Sequence, residues 1–216
     1  MRVCFYHAEP EWSGRARAFV DAAAALRERG YEVTLVCARG SAVERRLAAE
    51  GEDVIGIRTS GGWLRVAWRI RRVLKRNFVE AVFVHSEREQ LEAAAAVRFA
   101  DRGAIVRRMP PFGKLALGGD ARFAARIAAT GFLFAFDADM RAARPPARAL
   151  EPFVAPPGIA PASVAAGSRE KKATSIACFF SHASRGAVSI ALRTVALLAE
   201  RHPDLHLSLI GPVEAA

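Results

Sequence analysis

Two spacings of apolar residues alternate along this chain. Short unbroken apolar runs stand at residues 3–6, 33–37, 54–57, 81–84, 104–106 and 132–136. Between them, apolar residues recur at every third or fourth position, the spacing that lines one face of a helix. The runs predict strands buried on both faces, and the spaced segments predict helices over 15–29, 41–50, 63–76, 87–102 and 120–130. Ala16, Phe19, Val20, Ala23 and Leu26 share one face of the first helix, which Gly30 stops. Ser41 and Glu44 predict a capping box for the second helix, and Asp120 predicts a cap for the fifth. Asp137 and Asp139 predict one more helical turn, and residues 153–155 a last strand.

Strand and helix alternate throughout, which is the pattern of an α/β, doubly wound parallel sheet of the Rossmann-like kind. The composition then shifts. Six of the eleven prolines fall between Pro145 and Pro161, and proline at that density stops helices and extends the chain. The expected organisation is a first domain over 1–159, a linker over 160–172, and a second region over 173–216. That second region holds a strand at 175–180, a helix at 187–201 stopped by Pro203, and a strand at 205–210. This is a single βαβ unit, which cannot cover its own sheet. The expectation is a chain truncated within its second domain, whose exposed edge favours pairing into a homo-oligomer.

Composition narrows the class. Apolar residues make up 52% of the 216, so a sizeable core is available. No apolar run approaches the roughly eighteen residues of a membrane span, and the chain passes from Met1 straight into a strand without a leader pattern. A cytoplasmic protein is the expectation. Cys4, Cys37 and Cys178 each fall in an apolar strand run and are expected as buried thiols. Lys and Arg number 32 against 22 Asp and Glu, a net charge of +10 that suits an anionic partner. The helix at 63–76 concentrates that charge. Trp63, Val66, Ala67, Ile70, Val73 and Leu74 form its apolar stripe, while Arg65, Arg69, Arg72 and Arg76 take another face, with Arg71 and Lys75 alongside. Such a face is ordinarily the solvated outside of a helix covering a sheet; its other use is peripheral contact with an anionic membrane or an acidic substrate. The chain carries neither an aromatic-and-basic nucleic-acid motif nor a G-x-G-x-x-G fingerprint, so no nucleic acid and no dinucleotide cofactor is expected.

In parallel sheets ligands bind at the carboxyl ends of the strands. Four places there carry chemistry. Ser13 and Gly14 precede the first helix, where free N–H groups and the dipole attract phosphate. His85 ends the fourth strand, and Arg107 and Arg108 end the fifth. Glu9 and Glu11, in the first loop, are positioned to meet hydroxyl groups.

These residues, taken with others further on, resemble the GT-B glycosyltransferases, in particular the retaining family-four group (glycosyl transferases group 1) that uses nucleotide-diphosphate sugars. The resemblance lies in Gly14 opening the first helix and His85 ending the fourth strand. It continues in Val154-Ala155-Pro156-Pro157-Gly158-Ile159, which looks like the family's P-x-G-[VI] turn into its linker. Ser184-Arg185-Gly186, His202-Pro203-Asp204-Leu205 and Leu209-Ile210-Gly211 look like the opening of its donor-binding domain. The resemblance implies a glycosyltransferase with a nucleotide sugar as donor and no metal or other cofactor. His85 would act at the donor sugar, Ser13, Gly14, Arg107 and Arg108 would bind substrate, and Arg185 with Gly186 would meet the donor diphosphate. Phe180 and Ser181 stand where the family carries glycine and arginine, and its paired glutamates fall beyond Ala216. Catalysis by this chain alone is therefore not expected. The alternative is a non-catalytic Rossmann-like binding or assembly module.

Overall fold

The computed structural model describes residues 1–110, 118–143, 149–156, 175–179 and 185–210. The chain divides into two compact units, Met1–Ala160 and Pro161–Ala216. The linker expected over 160–172 lies outside the described residues, as do Phe180, Ser181 and Ser184.

The first unit alternates strand and helix as the apolar spacing predicts. Its elements are β1 (Arg2–His7), α1 (Gly14–Glu28), β2 (Glu32–Ala38), α2 (Ala42–Ala49), β3 (Val54–Ile57), α3 (Trp63–Arg76), β4 (Ala81–Val84), α4 (Glu87–Ala100), β5 (Ala104–Arg108), α5 (Gly119–Ile127), β6 (Thr130–Phe134), α6 (Asp137–Ala142) and β7 (Phe153–Val154). The strands form one sheet in the order β3-β2-β1-β4-β5-β6-β7, and every neighbouring pair is parallel. This is a doubly wound, Rossmann-like sheet.

Period-two alternation divides each central strand between two layers. Cys4 and Tyr6 of β1 point into a core with Val66, Ile70 and Leu74 of α3 and Ala93 to Val97 of α4. Val3 and Phe5 point the other way, against Phe19 and Ala23 of α1 and Val43 and Leu47 of α2. Both faces of the sheet are thus covered, which is why its strands read as continuous apolar runs. Burial pushes the pKa of the Cys4 thiol up to about 12 and that of Cys37 up to about 11, the latter held back by a hydrogen bond from Ser41. Cys178, in the second unit, is half-buried.

Four local expectations are corrected. β1 runs to His7, in register with Cys37 of β2, so His7 belongs to a buried strand rather than to the polar loop. Ser41 accepts the Glu44 N–H at 3.0 Å, but Glu44 turns back to the N–H of Gly40 instead of Ser41, so the expected capping box is only half formed. α5 is capped by Gly118 with no side-chain bond, and Asp120 stands exposed in its first turn. The sixth strand also starts earlier than its apolar run. Ala128 is already extended, and Thr130 pairs with Ile105, which brings Phe132 and Phe134 into a small core with Met109.

The second unit contains β8 (Ser175–Phe179), α7 (Arg185–Ala199) and β9 (His206–Ile210), with β8 and β9 parallel. Among the described residues, no helix is long and apolar enough to cross a membrane.

Candidate functional site

From β1 the chain winds outward through β2 and β3; from β4 it winds the other way through β5, β6 and β7. The direction reverses between β1 and β4. Loops leaving adjacent strands in opposite directions open a crevice at their carboxyl ends, and that is where ligands of such sheets bind. The loop after β1 carries Ser13 and Gly14, and the residue after β4 is His85.

The β1 side is organised by the start of α1. Ser13 is the N-cap, its hydroxyl accepting the Ala16 N–H at 3.4 Å. No acidic residue lies in the first turn to neutralise the positive end of the helix. A Cβ added at Gly14 would meet nothing within 4 Å, so packing does not require glycine there and the space beside it is open. Glu9, one of the two acidic residues of this loop considered for hydroxyl contacts, pairs with Arg15 at 2.6 Å.

The β4 side is organised by a complete capping box. Ser86 accepts the Glu89 N–H at 3.2 Å, and Glu89 accepts the Ser86 N–H at 2.8 Å. With Ser86 as N-cap, α4 starts immediately after β4, and His85 is held in the turn between them. Its imidazole lies face to face with Phe19 of α1, ring centroids 3.7 Å apart, and Nε2 stands 3.0 Å from the carbonyl oxygen of Arg15. A carbonyl only accepts, so Nε2 carries the hydrogen and Nδ1 keeps its lone pair. Burial pushes the pKa of His85 down to about 3; the bond to Arg15 opposes this, while the positive charges of Arg108 and Arg15 press the same way. The ring is neutral at neutral pH.

Further groups converge on this edge. His7 is buried, its ring 6.0 Å from that of His85 and edge-on to it, and among the described residues neither of its nitrogens has a hydrogen-bond partner. Burial lowers its pKa, against the pull of Glu89 and Glu9. Glu89 and Glu92 are both fully buried; Glu92 accepts the Tyr6 hydroxyl at 2.6 Å and pairs with Arg88 at 3.0 Å.

The two arginines of β5 part company. Arg107 is buried, donating to Gln90 Oε1 at 2.9 Å and standing 3.5 Å from Glu87, which also accepts the Gly118 N–H. Its guanidinium ties β5 to α4 instead of facing solvent. Arg108 is half-buried; burial lowers its own pKa, and its charge is felt at His85. Arg185 and Gly186 open α7 in the second unit. Among the described residues, no group of three His, Cys, Asp or Glu is arranged to hold a metal ion.

Of the residues singled out from the sequence, His85 meets the first turn of α1, which Ser13 caps and Gly14 opens, through the Arg15 carbonyl; His7 and Glu89, which lie beside it, were not singled out. The spacing of Ser86 and Glu89 is that of a capping box and was the available signal for Glu89.

No family model matches this chain, and no curated protein matches it. Solved structures do. MurG of Acinetobacter baumannii is similar at 13% identity and a TM-score of 0.58, over 99% of this chain and 67% of that one. Anabaena Alr3699/HepE, solved in complex with UDP, is similar at 12% identity and a TM-score of 0.59, over 98% of this chain and 69% of its own. A Listeria monocytogenes protein assigned as a UDP-N-acetylglucosamine 2-epimerase gives 13% identity and a TM-score of 0.60, over 100% of this chain and 63% of that one. The chain therefore spans about two thirds of the length of these structures and shares their GT-B fold.

Proposed function

We propose that this chain is the acceptor-side domain, with the opening of a donor-binding domain, of a glycosyltransferase that moves a sugar from a nucleotide-diphosphate donor to an acceptor with retention. The observation that carries the reading is the meeting of His85 with the first turn of α1 at the point where the sheet reverses direction. It puts a neutral hydrogen-bonding ring beside a helix N-terminus that has no acidic residue in its own first turn, an arrangement suited to a sugar hydroxyl next to a phosphate. Nucleotide-sugar chemistry recurs among the structural neighbours: HepE was solved with UDP, and the Listeria protein is named for a UDP-sugar.

In this reading His85 orients the donor sugar through Nδ1, and Ser13 and Gly14 line the approach of its phosphates. Arg108 meets an anionic group on the acceptor side, while Arg107 serves by fixing β5 against α4. Arg185 and Gly186 meet the donor diphosphate from the second domain. The test is transfer or hydrolysis of UDP-glucose and related donors by the full-length gene product, with His85→Ala and Arg185→Ala as the deciding variants.

Peripheral contact with an anionic membrane through α3 belongs to the same reading. The apolar stripe of that helix is used up in the core, yet its outer side still exposes Leu64 and Trp68 among the arginines. Phe99 of α4 stacks on Trp68 with ring centroids 5.6 Å apart, and Arg71 lies over the Trp68 ring at 4.6 Å. Aromatic rings flanked by arginine suit the headgroup layer of a bilayer.

A second reading, a non-catalytic assembly module, is favoured by the second unit, where Ile190 and Leu197 of α7 are 68% and 71% exposed. Such a surface favours pairing with another copy of the chain. A protein that runs as a monomer on sizing and turns over a nucleotide sugar removes this reading.

A further inference from the structure

Glu44 and Glu89 hold equivalent places, three residues past the N-caps of α2 and α4, and they are used differently. Glu44 is half-buried and turns back to one neighbouring N–H, that of Gly40. Glu89 is fully buried and accepts three backbone hydrogen bonds from two different loops. Its Oε2 takes the N–H groups of His85 at 2.9 Å and Ser86 at 2.8 Å, while Oε1 crosses to the neighbouring strand and takes the N–H of Ala8 at 2.6 Å. Only the Ser86 bond is needed to cap a helix. The other two join the turn that carries His85 to the loop that leads to Ser13 and Gly14. His7, whose ring nitrogens have no hydrogen-bond partner among the described residues, lies with Nδ1 3.6 Å from the same Oε1. Burying a carboxylate is costly unless its oxygens are satisfied, and a helix cap alone does not require burial. What sets Glu89 apart from the equally buried Glu92 is that its bonds reach the loop after β1 and the turn after β4 together.

We propose that Glu89 is the positioning residue of the candidate site, a carboxylate that locks the tips of β1 and β4 to each other and so holds His85 where the Arg15 carbonyl fixes its tautomer, before any ligand arrives. It acts through His85 and does not itself reach the crevice. The proposal rests on the glycosyl-transfer reading for its purpose, but the lock is a property of the ligand-free protein and is tested there first.

In the wild-type protein, hydrogen exchange of the Ala8, His85 and Ser86 amides is expected to proceed through one shared opening; rapid, independent exchange of Ala8 overturns the lock without any variant. In Glu89→Gln, one oxygen becomes a donor and can no longer accept on both sides. Nitrogen NMR of the His85 ring is then expected to lose the single Nε2–H tautomer of the wild type. Glu92→Gln, equally buried but bonded to Tyr6 and Arg88, is expected to leave the His85 signals unchanged. A folded Glu89→Gln protein with an unaltered His85 spectrum overturns the proposal, and so does an equal change in Glu92→Gln. With UDP-glucose as the probe, hydrolysis by the full-length protein is expected to lose about 10–100-fold in kcat in Glu89→Gln with little change in KM, the signature of misplacement. If the spectrum responds but the wild type turns over no UDP-glucose or other nucleotide sugar, the glycosyl-transfer reading fails while the lock stands.

Discussion

His85 donates its Nε2 hydrogen to the carbonyl oxygen of Arg15, 3.0 Å away, across the gap between the turn after β4 and the first turn of α1. The bond couples two segments seventy residues apart in sequence at the place where the sheet reverses direction. It also fixes the chemistry of the ring, because an imidazole that gives Nε2–H to a carbonyl and is pressed by burial toward its neutral form presents Nδ1 as an acceptor.

The neutral state has a consequence for stability in acid. The folded-state pKa of His85 is about 3, well below the ordinary 6.5, and that of His7 is lowered as well, in both cases first by burial. Between these limits the unfolded chain binds protons that the folded chain refuses, so stability falls as pH falls. The contribution is intact above about pH 6.5 and is lost progressively toward about pH 3. Melting temperatures measured between pH 7 and pH 4 are expected to decline, and to decline less steeply in His85→Gln. Equal slopes for the two proteins would show that His85 does not titrate as the structure requires.

Arg107 and Arg108 are adjacent in sequence and opposite in expected behaviour. Replacing Arg107 by Met leaves the buried Gln90 Oε1 without its donor, a loss of about 1–3 kcal/mol. Replacing the half-buried Arg108 by Ala is expected to change stability by about 0.5 kcal/mol or less. Urea unfolding distinguishes them; equal losses would place both guanidinium groups in the same kind of environment.

The outer side of α3 is checked by vesicle sedimentation. Binding is expected to vesicles containing phosphatidylglycerol, to be absent for pure phosphatidylcholine, and to weaken with salt as screening sets in. Trp68→Ala combined with Phe99→Ala is expected to lower vesicle binding several-fold without unfolding, since both side chains are exposed. Binding that depends on salt but not on these two rings would reduce the contact to net charge alone.

Much of the first unit was legible in the chain because its strands are buried on both faces and its helices on one. Unbroken apolar runs and three-to-four spacing are local signals, and they placed β1 through α6 within a few residues. The failures are where a non-local partner decides. His7 looked like the start of a loop because it is polar, but Cys37 of β2 supplies a pairing partner for one more residue of β1. Thr130 joins β6 for the same reason, drawn into register by Ile105. His85 was singled out because strand ends at the carboxyl edge are where chemistry is sought. Glu89 was passed over because its spacing to Ser86 says only that it can cap a helix, and nothing in the sequence tells which loops a buried carboxylate will join. Arg107 and Arg108 looked equivalent because both are arginines at the end of one strand; alternation sends them to opposite faces, and the sequence alone does not show that Gln90 and Glu87 wait on one of them.

The most direct measurement is nucleotide-sugar turnover by the full-length protein, comparing wild type with His85→Ala and Arg185→Ala. Transfer or hydrolysis in the wild type that falls about 100-fold or more in each variant is the predicted result, on the scale expected when a positioned polar group is removed from a transition state. Turnover that is unaffected by the loss of His85 would contradict the account, because the ring that meets the first turn of α1 would then take no part in the reaction.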